Sequence, residues 1–150
     1  MRALIQRVKR ASVTINSEVT GKINNGLLIF LGVGEDDTEK QVQYLVEKCT
    51  GLRIFTDEQD KMNLSVKDIN GEILIVSQFT LFGDCKKGKR PSFVRAARPE
   101  TAIPLYESFI ANCKNTGLNV QTGEFGADMQ IELINDGPVT IWLDTEEMGK

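Results

Sequence analysis

The sequence predicts an α+β protein, with a mainly antiparallel β-sheet or barrel and two helices. Segments with the pattern of β-strands occur in clusters along the chain instead of alternating with helices. Only two segments place apolar residues at the spacing of an amphipathic helix. The chain has 150 residues, of which 41% are hydrophobic, and this suits one domain with its own core. We therefore expect a single domain over residues 1–150, with residues 144–150 as an acidic tail.

The first part of the chain predicts four strands. Apolar and polar residues alternate over residues 2–8 and 11–15, which indicates two strands. The Asn16-Ser17 turn leads into a third strand near residues 19–23. Residues 27–33 are almost continuously apolar, which is typical of a strand buried on both faces.

The two predicted helices have recognisable ends and apolar faces. The first follows residues 35–38, which supply an N-cap and acidic side chains for the first turn, and it stops near Gly51. The second begins at Pro99 and is closed by Gly117. Their predicted buried faces are Val42, Leu45, Val46 and Cys49 in the first helix, and Ala102, Leu105, Tyr106, Phe109 and Cys113 in the second.

The remaining strands are predicted around one central apolar run. Residues 73–76 suit a strand buried on both faces, and the preceding Asn70-Gly71 pair is typical of a hairpin. The alternation resumes over residues 79–81 after two polar residues. Further strands are expected at residues 52–55, 129–133 and 139–143, whereas residues 62–65 are ambiguous.

The composition excludes several kinds of chemistry. The chain has no histidine, so no Ser-His-Asp or Cys-His arrangement can form within it, and the commonest metal ligand is missing. We expect no metal and no cofactor. An enzyme with this sequence must use carboxylates, hydroxyls, lysine, backbone groups or chemistry supplied by its substrate.

The three cysteines form no CxxC motif, and no signal peptide or membrane span is evident, so a cytoplasmic protein is expected.

The charge is unevenly distributed. Residues 84–98 carry a net charge of +5, so the rest of the chain carries −8 of the total of −3. A basic segment on an acidic protein is typical of contact with an anionic partner at one place. A solvated surface loop explains the same pattern equally well.

Several short stretches are candidates for function, each with a simpler structural alternative. Ser77-Gln78 either meets a ligand at the end of a buried strand or marks the exit of that strand into solvent. Gly126-Ala127 suits either a pocket floor or a β-bulge, and Gly137-Pro138 suits either specially aimed carbonyls or an ordinary turn. Arg7 is either an inward charge that needs acceptors or an exposed side chain. Thr80 is a candidate nucleophile without a nearby base.

Taken together, residues 77–81 (SQFTL) and 135–140 (NDGPVT) resemble the D-aminoacyl-tRNA deacylase family. Residues 4–8, 61–64, 90–93 and 127–129 support the resemblance, which extends from the first residue to about Leu143. The resemblance implies a homodimer that hydrolyses the ester between a D-amino acid, or glycine, and the terminal adenosine of tRNA.

The resemblance also implies roles for particular residues. The Gly137-Pro138 bond would be cis and would reach into the pocket of the other subunit, where two carbonyls would block any L side chain. The RNA 2′-hydroxyl would take part in the chemistry, and the N–H groups near Phe79 and Thr80 would stabilise the oxyanion. The expected residues are Ser77, Gln78, Phe79 and Thr80 for catalysis, Gly137, Pro138, Arg7, Gly126, Ala127 and Met129 for substrate binding and chirality, and Lys86, Lys87, Lys89 and Arg90 for tRNA.

Three other functions are compatible with the same residues. Thr80 could act as a covalent nucleophile in the same reaction. The chain could be an RNA-binding module without catalysis, which would use the basic loop on phosphates. It could also be a dimer that binds a small molecule.

Overall fold

The computed structural model describes all 150 residues and contains eight β-strands, two α-helices and one short 3₁₀ helix. In chain order these are β1 (Arg2–Ile15), β2 (Glu18–Ile23), β3 (Gly26–Gly32), α1 (Glu39–Gly51), β4 (Phe55–Thr56), β5 (Met62–Leu64), β6 (Glu72–Ser77), the 3₁₀ helix (Phe79–Phe82), α2 (Pro99–Asn115), β7 (Asn119–Thr122) and β8 (Gln130–Asp144). The predicted combination of many strands with two α-helices is confirmed.

The main sheet is mixed, so the predicted mainly antiparallel character is not confirmed: three of its five strand pairs are antiparallel and two are parallel. Its strand order is β2-β1-β3-β6-β7, with β8 on the other edge of β1. The β3–β6 and β6–β7 pairs are parallel. Asn70-Gly71 precedes β6 but forms no hairpin, because β3 and β6 are joined by a long crossover that contains α1 and the β4–β5 pair. Parallel neighbours require such a crossover.

Two long strands replace four predicted ones. β1 runs through the polar residues Lys9 and Arg10, its first half pairing with β3 and its second half with β2. β8 pairs with β1 along most of its length and includes the Gly137-Pro138 dipeptide that was expected to separate two strands. Polar residues within a strand do not end it when the strand on each side keeps its backbone hydrogen bonds.

The core lies on both faces of the sheet. One cluster packs the two helices against alternate residues of β3 and β6. A smaller cluster lies on the opposite face of β3 and β6, where residues of β1 and β2 pack against it. Leu27, Leu28, Ile73 and Leu74 are all fully buried, as expected for strands covered on both sides. The resulting sheet curves into a nearly closed, barrel-like form.

The helices form where the sequence places them. Thr38 is the N-cap of α1 and completes a capping box with Gln41, while Pro99 opens α2. All predicted face residues are buried except Leu105, which packs partly buried against the core. Neither helix is long and apolar enough to cross a membrane.

Three further segments differ from the sequence prediction. Of the strand expected at residues 52–55 only Phe55 lies in a strand, the two-residue β4. Residues 79–82 form the 3₁₀ helix instead of continuing a strand, because β6 ends at Ser77 and the chain turns away from the sheet. β7 was missed because Val120 is its only buried residue, which leaves almost no apolar pattern to detect.

The expected acidic tail is anchored at its base, since Asp144 and Thr145 are buried and Asp144 pairs with Arg2 at 2.7 Å.

Candidate active site

A groove of about 250 Å³ opens where β6 ends, between the 3₁₀ helix and the loop before β8. Its walls are formed by Val76, Ser77, Gln78, Phe79, Phe125, Gly126, Ala127, Met129 and Ile131. Six of the residues predicted from the sequence to form the site are therefore side by side here. Val76, Phe125 and Ile131 were not among the predicted site residues, although Val76 and Phe125 directly precede predicted ones and Ile131 lies two residues after Met129.

The backbone of the 3₁₀ helix presents two unused donors beside the groove. The Gln78 amide donates to the Leu31 carbonyl oxygen, and the Leu81 amide donates to the Gln78 carbonyl oxygen. The amide N–H groups of Phe79 and Thr80 donate to no acceptor in the chain. Phe79 and Thr80 are both exposed. Adjacent N–H groups free at a groove can bind a negatively charged oxygen.

The side chain of Thr80 is engaged in a local hydrogen bond. The Gln78 side-chain amide donates to the Thr80 hydroxyl oxygen. No side chain accepts the Thr80 hydroxyl proton, so the structure places no general base on this threonine.

The floor of the groove is supported by the core. The Phe125 ring lies 5.9 Å from the ring of Tyr106, centroid to centroid, and the Tyr106 hydroxyl donates to the Ile75 carbonyl oxygen at 3.3 Å. Burial raises the pKa of Tyr106 to about 12, so this residue is a neutral hydrogen-bond donor with a structural role. Gly126 has a φ of +79° and lies in a loop, which agrees with the pocket-floor interpretation and not with a bulge.

Arg7 is the inward charge that the strand pattern allowed. It is only 9% exposed, and its guanidinium donates to two carbonyl oxygens, that of Asp136 at 2.9 Å and that of Ile54 at 2.7 Å. The Asp136 carboxylate lies 3.7 Å from the same guanidinium. Arg7 therefore joins the Gly137-Pro138 segment to the chain just before β4.

The Gly137-Pro138 dipeptide projects from the sheet. Between Gln6 and Val8 the partner on β8 changes from Thr140 to Asn135, so the intervening residues bulge outward. The Asn135 side chain closes the base of this bulge by donating to the Arg7 and Val139 carbonyl oxygens at 3.2 and 2.9 Å. The Gly137-Pro138 peptide bond is cis, as the family resemblance implied, and both residues are exposed.

Gly137 has no room for a side chain. Its φ is +144°, and a Cβ atom there would lie 2.8 Å from the Val139 nitrogen. Within one chain neither Gly137 nor Pro138 lines the groove, so the two halves of the expected site are not brought together by the fold of a single copy.

The predicted RNA-contacting residues form an exposed loop beside the 3₁₀ helix. Asp84 and Ser92 exchange two backbone hydrogen bonds of 2.8 and 2.9 Å, which close residues 85–91 into a loop. We call residues 85–91 the basic loop. Lys86, Lys87, Lys89 and Arg90 are all exposed within it, and none of them forms an ion pair.

Comparison with known proteins places this arrangement in an enzyme family. The family described as D-Tyr-tRNA(Tyr) deacylase matches residues 4–144. The chain is 60% identical over 148 residues to a D-aminoacyl-tRNA deacylase of Thermosipho africanus (strain TCF52B), with 99% of each chain covered. It is 58% identical over 147 residues to one of Halothermothrix orenii (strain H 168 / OCM 544 / DSM 9562), covering 98% of this chain and 99% of that one.

Solved structures agree with these relatives. A structure named "c-Myc DNA Unwinding Element Binding Protein" is 43% identical, with a TM-score of 0.91 over 96% of this chain and 98% of the other. A structure described as "a probable eukaryotic D-amino acid tRNA deacylase" is 18% identical, with a TM-score of 0.82 over 95% and 97%, and it shows the shared fold. The class of protein is therefore an ester-hydrolysing enzyme, as predicted. The chain belongs to the D-Tyr-tRNA(Tyr) deacylase family.

Proposed function

We propose that this protein hydrolyses the ester bond of D-aminoacyl-tRNA and of glycyl-tRNA, and that it rejects L-aminoacyl-tRNA. The observation that carries the proposal is the pair of unused N–H groups of Phe79 and Thr80 at the edge of the groove. Hydrolysis of an ester passes through a tetrahedral oxyanion, and each well-placed donor to that oxyanion contributes about 2.7–4 kcal/mol in other enzymes. The family membership supplies the substrate class.

In the proposed reaction, water attacks the ester carbonyl carbon and the carbonyl oxygen becomes the oxyanion. The oxyanion accepts hydrogen bonds from the Phe79 and Thr80 amides. When the tetrahedral intermediate collapses, the carbon–oxygen bond to the ribose breaks, and the departing 3′-oxygen takes a proton from the neighbouring 2′-hydroxyl. The 2′-oxygen in turn receives the proton that the attacking water gives up. The absence of histidine and of a base on Thr80 supports a role for the RNA hydroxyl.

Discrimination between enantiomers is proposed to require two copies of the chain. Gly137 and Pro138 are exposed, project from β8 and lie outside the groove of their own chain. A second copy in a homodimer would insert this dipeptide into the groove, where its carbonyls leave no space for an L side chain. Arg7 fixes the preceding carbonyl of Asp136, which holds the dipeptide in place.

The contact with tRNA is proposed to use the basic loop. Lys86, Lys87, Lys89 and Arg90 are exposed next to the segment that carries the unused amides, so phosphates near the end of tRNA can meet them while the ester is at the groove. Gly126, Ala127 and Met129 then form the surface against which the terminal adenosine lies.

The decisive experiment compares D- and L-aminoacyl-tRNA that carry the same amino acid on the same tRNA. We expect hydrolysis of the D form at least 10³-fold faster, which corresponds to about 4 kcal/mol of differential transition-state binding. Equal rates on the two enantiomers would refute the chiral function. Binding of tRNA without hydrolysis of either form would instead identify a nucleic-acid-binding module.

A second experiment separates the two proposed sources of the chemistry. Thr80→Ala should keep most of the turnover, because no base activates the threonine. A substrate that ends in 2′-deoxyadenosine should react much more slowly with the unaltered protein. If Thr80→Ala abolishes turnover while the 2′-deoxy substrate still reacts, a covalent threonine is the correct mechanism.

A further inference from the structure

A pair of aromatic rings, one exposed and one half-buried, lies at the edge of the groove. Phe79 is 55% exposed, although it belongs to the wall of a mainly apolar groove. The Phe93 ring meets it nearly edge-on, with 5.1 Å between the ring centroids and 73° between the ring planes. We call these two residues the aromatic pair. The function proposed above uses the Phe79 backbone and gives no role to either ring.

The aromatic pair is held in place by the backbone around it. The two hydrogen bonds between Asp84 and Ser92 fix the residue that precedes Phe93, and the Phe93 carbonyl oxygen accepts the Ala96 amide at 3.0 Å. The Phe93 ring also lies against Gly83, where a Cβ atom would approach to 3.1 Å. The two rings are therefore preformed, and a ligand does not have to order them.

The aromatic pair connects the groove to the basic loop. Phe79 borders the groove on one side and touches Phe93 on the other, and Phe93 is two residues from the end of the basic loop at residue 91. An aromatic surface next to a cationic strip is the combination by which proteins bind single-stranded nucleic acid, the rings stacking on bases and the cations contacting phosphates.

We propose that the aromatic pair stacks the nucleobase that precedes the terminal adenosine. This inference rests on the proposed function and extends it: the protein recognises the last two nucleotides of an aminoacylated RNA, and not an aminoacyl-adenosine alone. An adenosine whose ester lies at the Phe79 and Thr80 amides has its 5′-phosphate leading out of the groove. The next base then meets the aromatic pair, and the phosphates beyond it meet the basic loop.

The charge around the aromatic pair favours RNA over a second copy of this chain as the occupant. Residues 84–98, which contain Phe93, carry a net charge of +5. A two-fold contact through this surface would bring two such segments together, which is unfavourable, whereas a polyanion is attracted to it.

Stacking is first tested by binding, without catalysis. The probe is a short RNA with the tRNA 3′ end, in which a stable amide replaces the ester and 2-aminopurine replaces the penultimate base. We expect its fluorescence to be quenched on binding, and Phe93→Leu to remove the quench and weaken binding about tenfold. Val94→Ala is the matched control, because Val94 is the adjacent residue and is 80% exposed. An equal quench in the unaltered protein and in Phe93→Leu would overturn the proposal.

Hydrolysis then tests whether the contact serves the reaction. Phe93→Leu should lower kcat/KM about tenfold on a D-aminoacyl cytidylyl-adenosine and leave it unchanged on a D-aminoacyl adenosine. An equal loss on both substrates would show that Phe93 only shapes the groove, and would overturn the proposal. With the unaltered protein, an abasic penultimate nucleotide should cause the same tenfold loss, so this arm does not depend on the folding of any variant.

Two further outcomes separate this inference from the proposed function. If the unaltered protein hydrolyses no D-aminoacyl ester, the proposed function fails, while the fluorescence experiment still decides whether the aromatic pair stacks a base. Sedimentation of Phe93→Leu should give the same oligomeric state as the unaltered protein. A change of oligomeric state would identify the aromatic pair as a contact between copies and would overturn the proposal.

Discussion

Replacing Arg7 with methionine tests whether this buried guanidinium holds the Gly137-Pro138 segment. Methionine keeps the apolar stem and removes both donors, so the Asp136 and Ile54 carbonyl oxygens lose their bonds of 2.9 and 2.7 Å. The side chain is 11% exposed, and hydrogen bonds from a charged donor contribute about 1.5–3 kcal/mol each. We therefore expect Arg7→Met to lower the free energy of unfolding by about 3–5 kcal/mol.

The assay is urea unfolding at one fixed protomer concentration, since association would make the stability depend on concentration. Lys9→Met is the matched control. Its ammonium lies 3.6 Å from the Asp136 carboxylate, but the side chain is 65% exposed, so the loss should stay below about 1 kcal/mol. A loss below about 1 kcal/mol for Arg7→Met as well would refute the reasoning, because a buried donor to two carbonyls would then contribute no more than a surface ion pair.

The same variant has a functional consequence. The Asp136 carbonyl precedes Gly137 directly, so loss of its donor should loosen the dipeptide and lower the ratio of D to L hydrolysis. If the stability falls and this ratio stays the same, Arg7 supports the fold and has no part in the discrimination.

Four other predictions concern separate parts of the molecule. Gly137→Ala should destabilise the protein by about 1–3 kcal/mol and lower the ratio of D to L hydrolysis, because φ is +144° and the new Cβ atom would lie 2.8 Å from a backbone nitrogen. Unchanged activity on both enantiomers would contradict this. Alanine at all three lysines of the basic loop should flatten the slope of log affinity for tRNA against log salt by about 2, and the chiral ratio should survive; an unchanged slope would show that the loop is only solvated surface. Cys85 alone should react with a thiol reagent in the native protein at pH 8, since burial raises the pKa of the Cys49 and Cys113 thiols; rapid modification of a Cys85→Ser variant would contradict this. Thr38→Ala removes the capping box of α1 and should cost about 1 kcal/mol, which thermal unfolding would measure as a fall in Tm of about 2–4 °C.

Two of the site predictions illustrate how far local sequence reaches. The alternation of residues 2–8 left Arg7 open as an inward charge or an exposed side chain. Its acceptor at Ile54 is 47 residues away, and no local pattern indicates it. The groove likewise joins the end of β6 to a loop near residue 126. Proximity between segments so far apart depends on which strands become neighbours.

The sequence by itself determined the elements with a strong period, the buried faces of both helices and the family, because these depend on spacing and motifs within short stretches. Only the tertiary structure decided that β6 lies parallel to β3, that β1 and β8 continue through their polar residues, and that the chain turns into a 3₁₀ helix after Ser77. Strand order and register are set by long-range pairing of backbone groups and by the closure of a common core, and neither leaves a local signature. For the same reason, only the folded chain reveals that Gly137-Pro138 stands apart from the groove of its own copy.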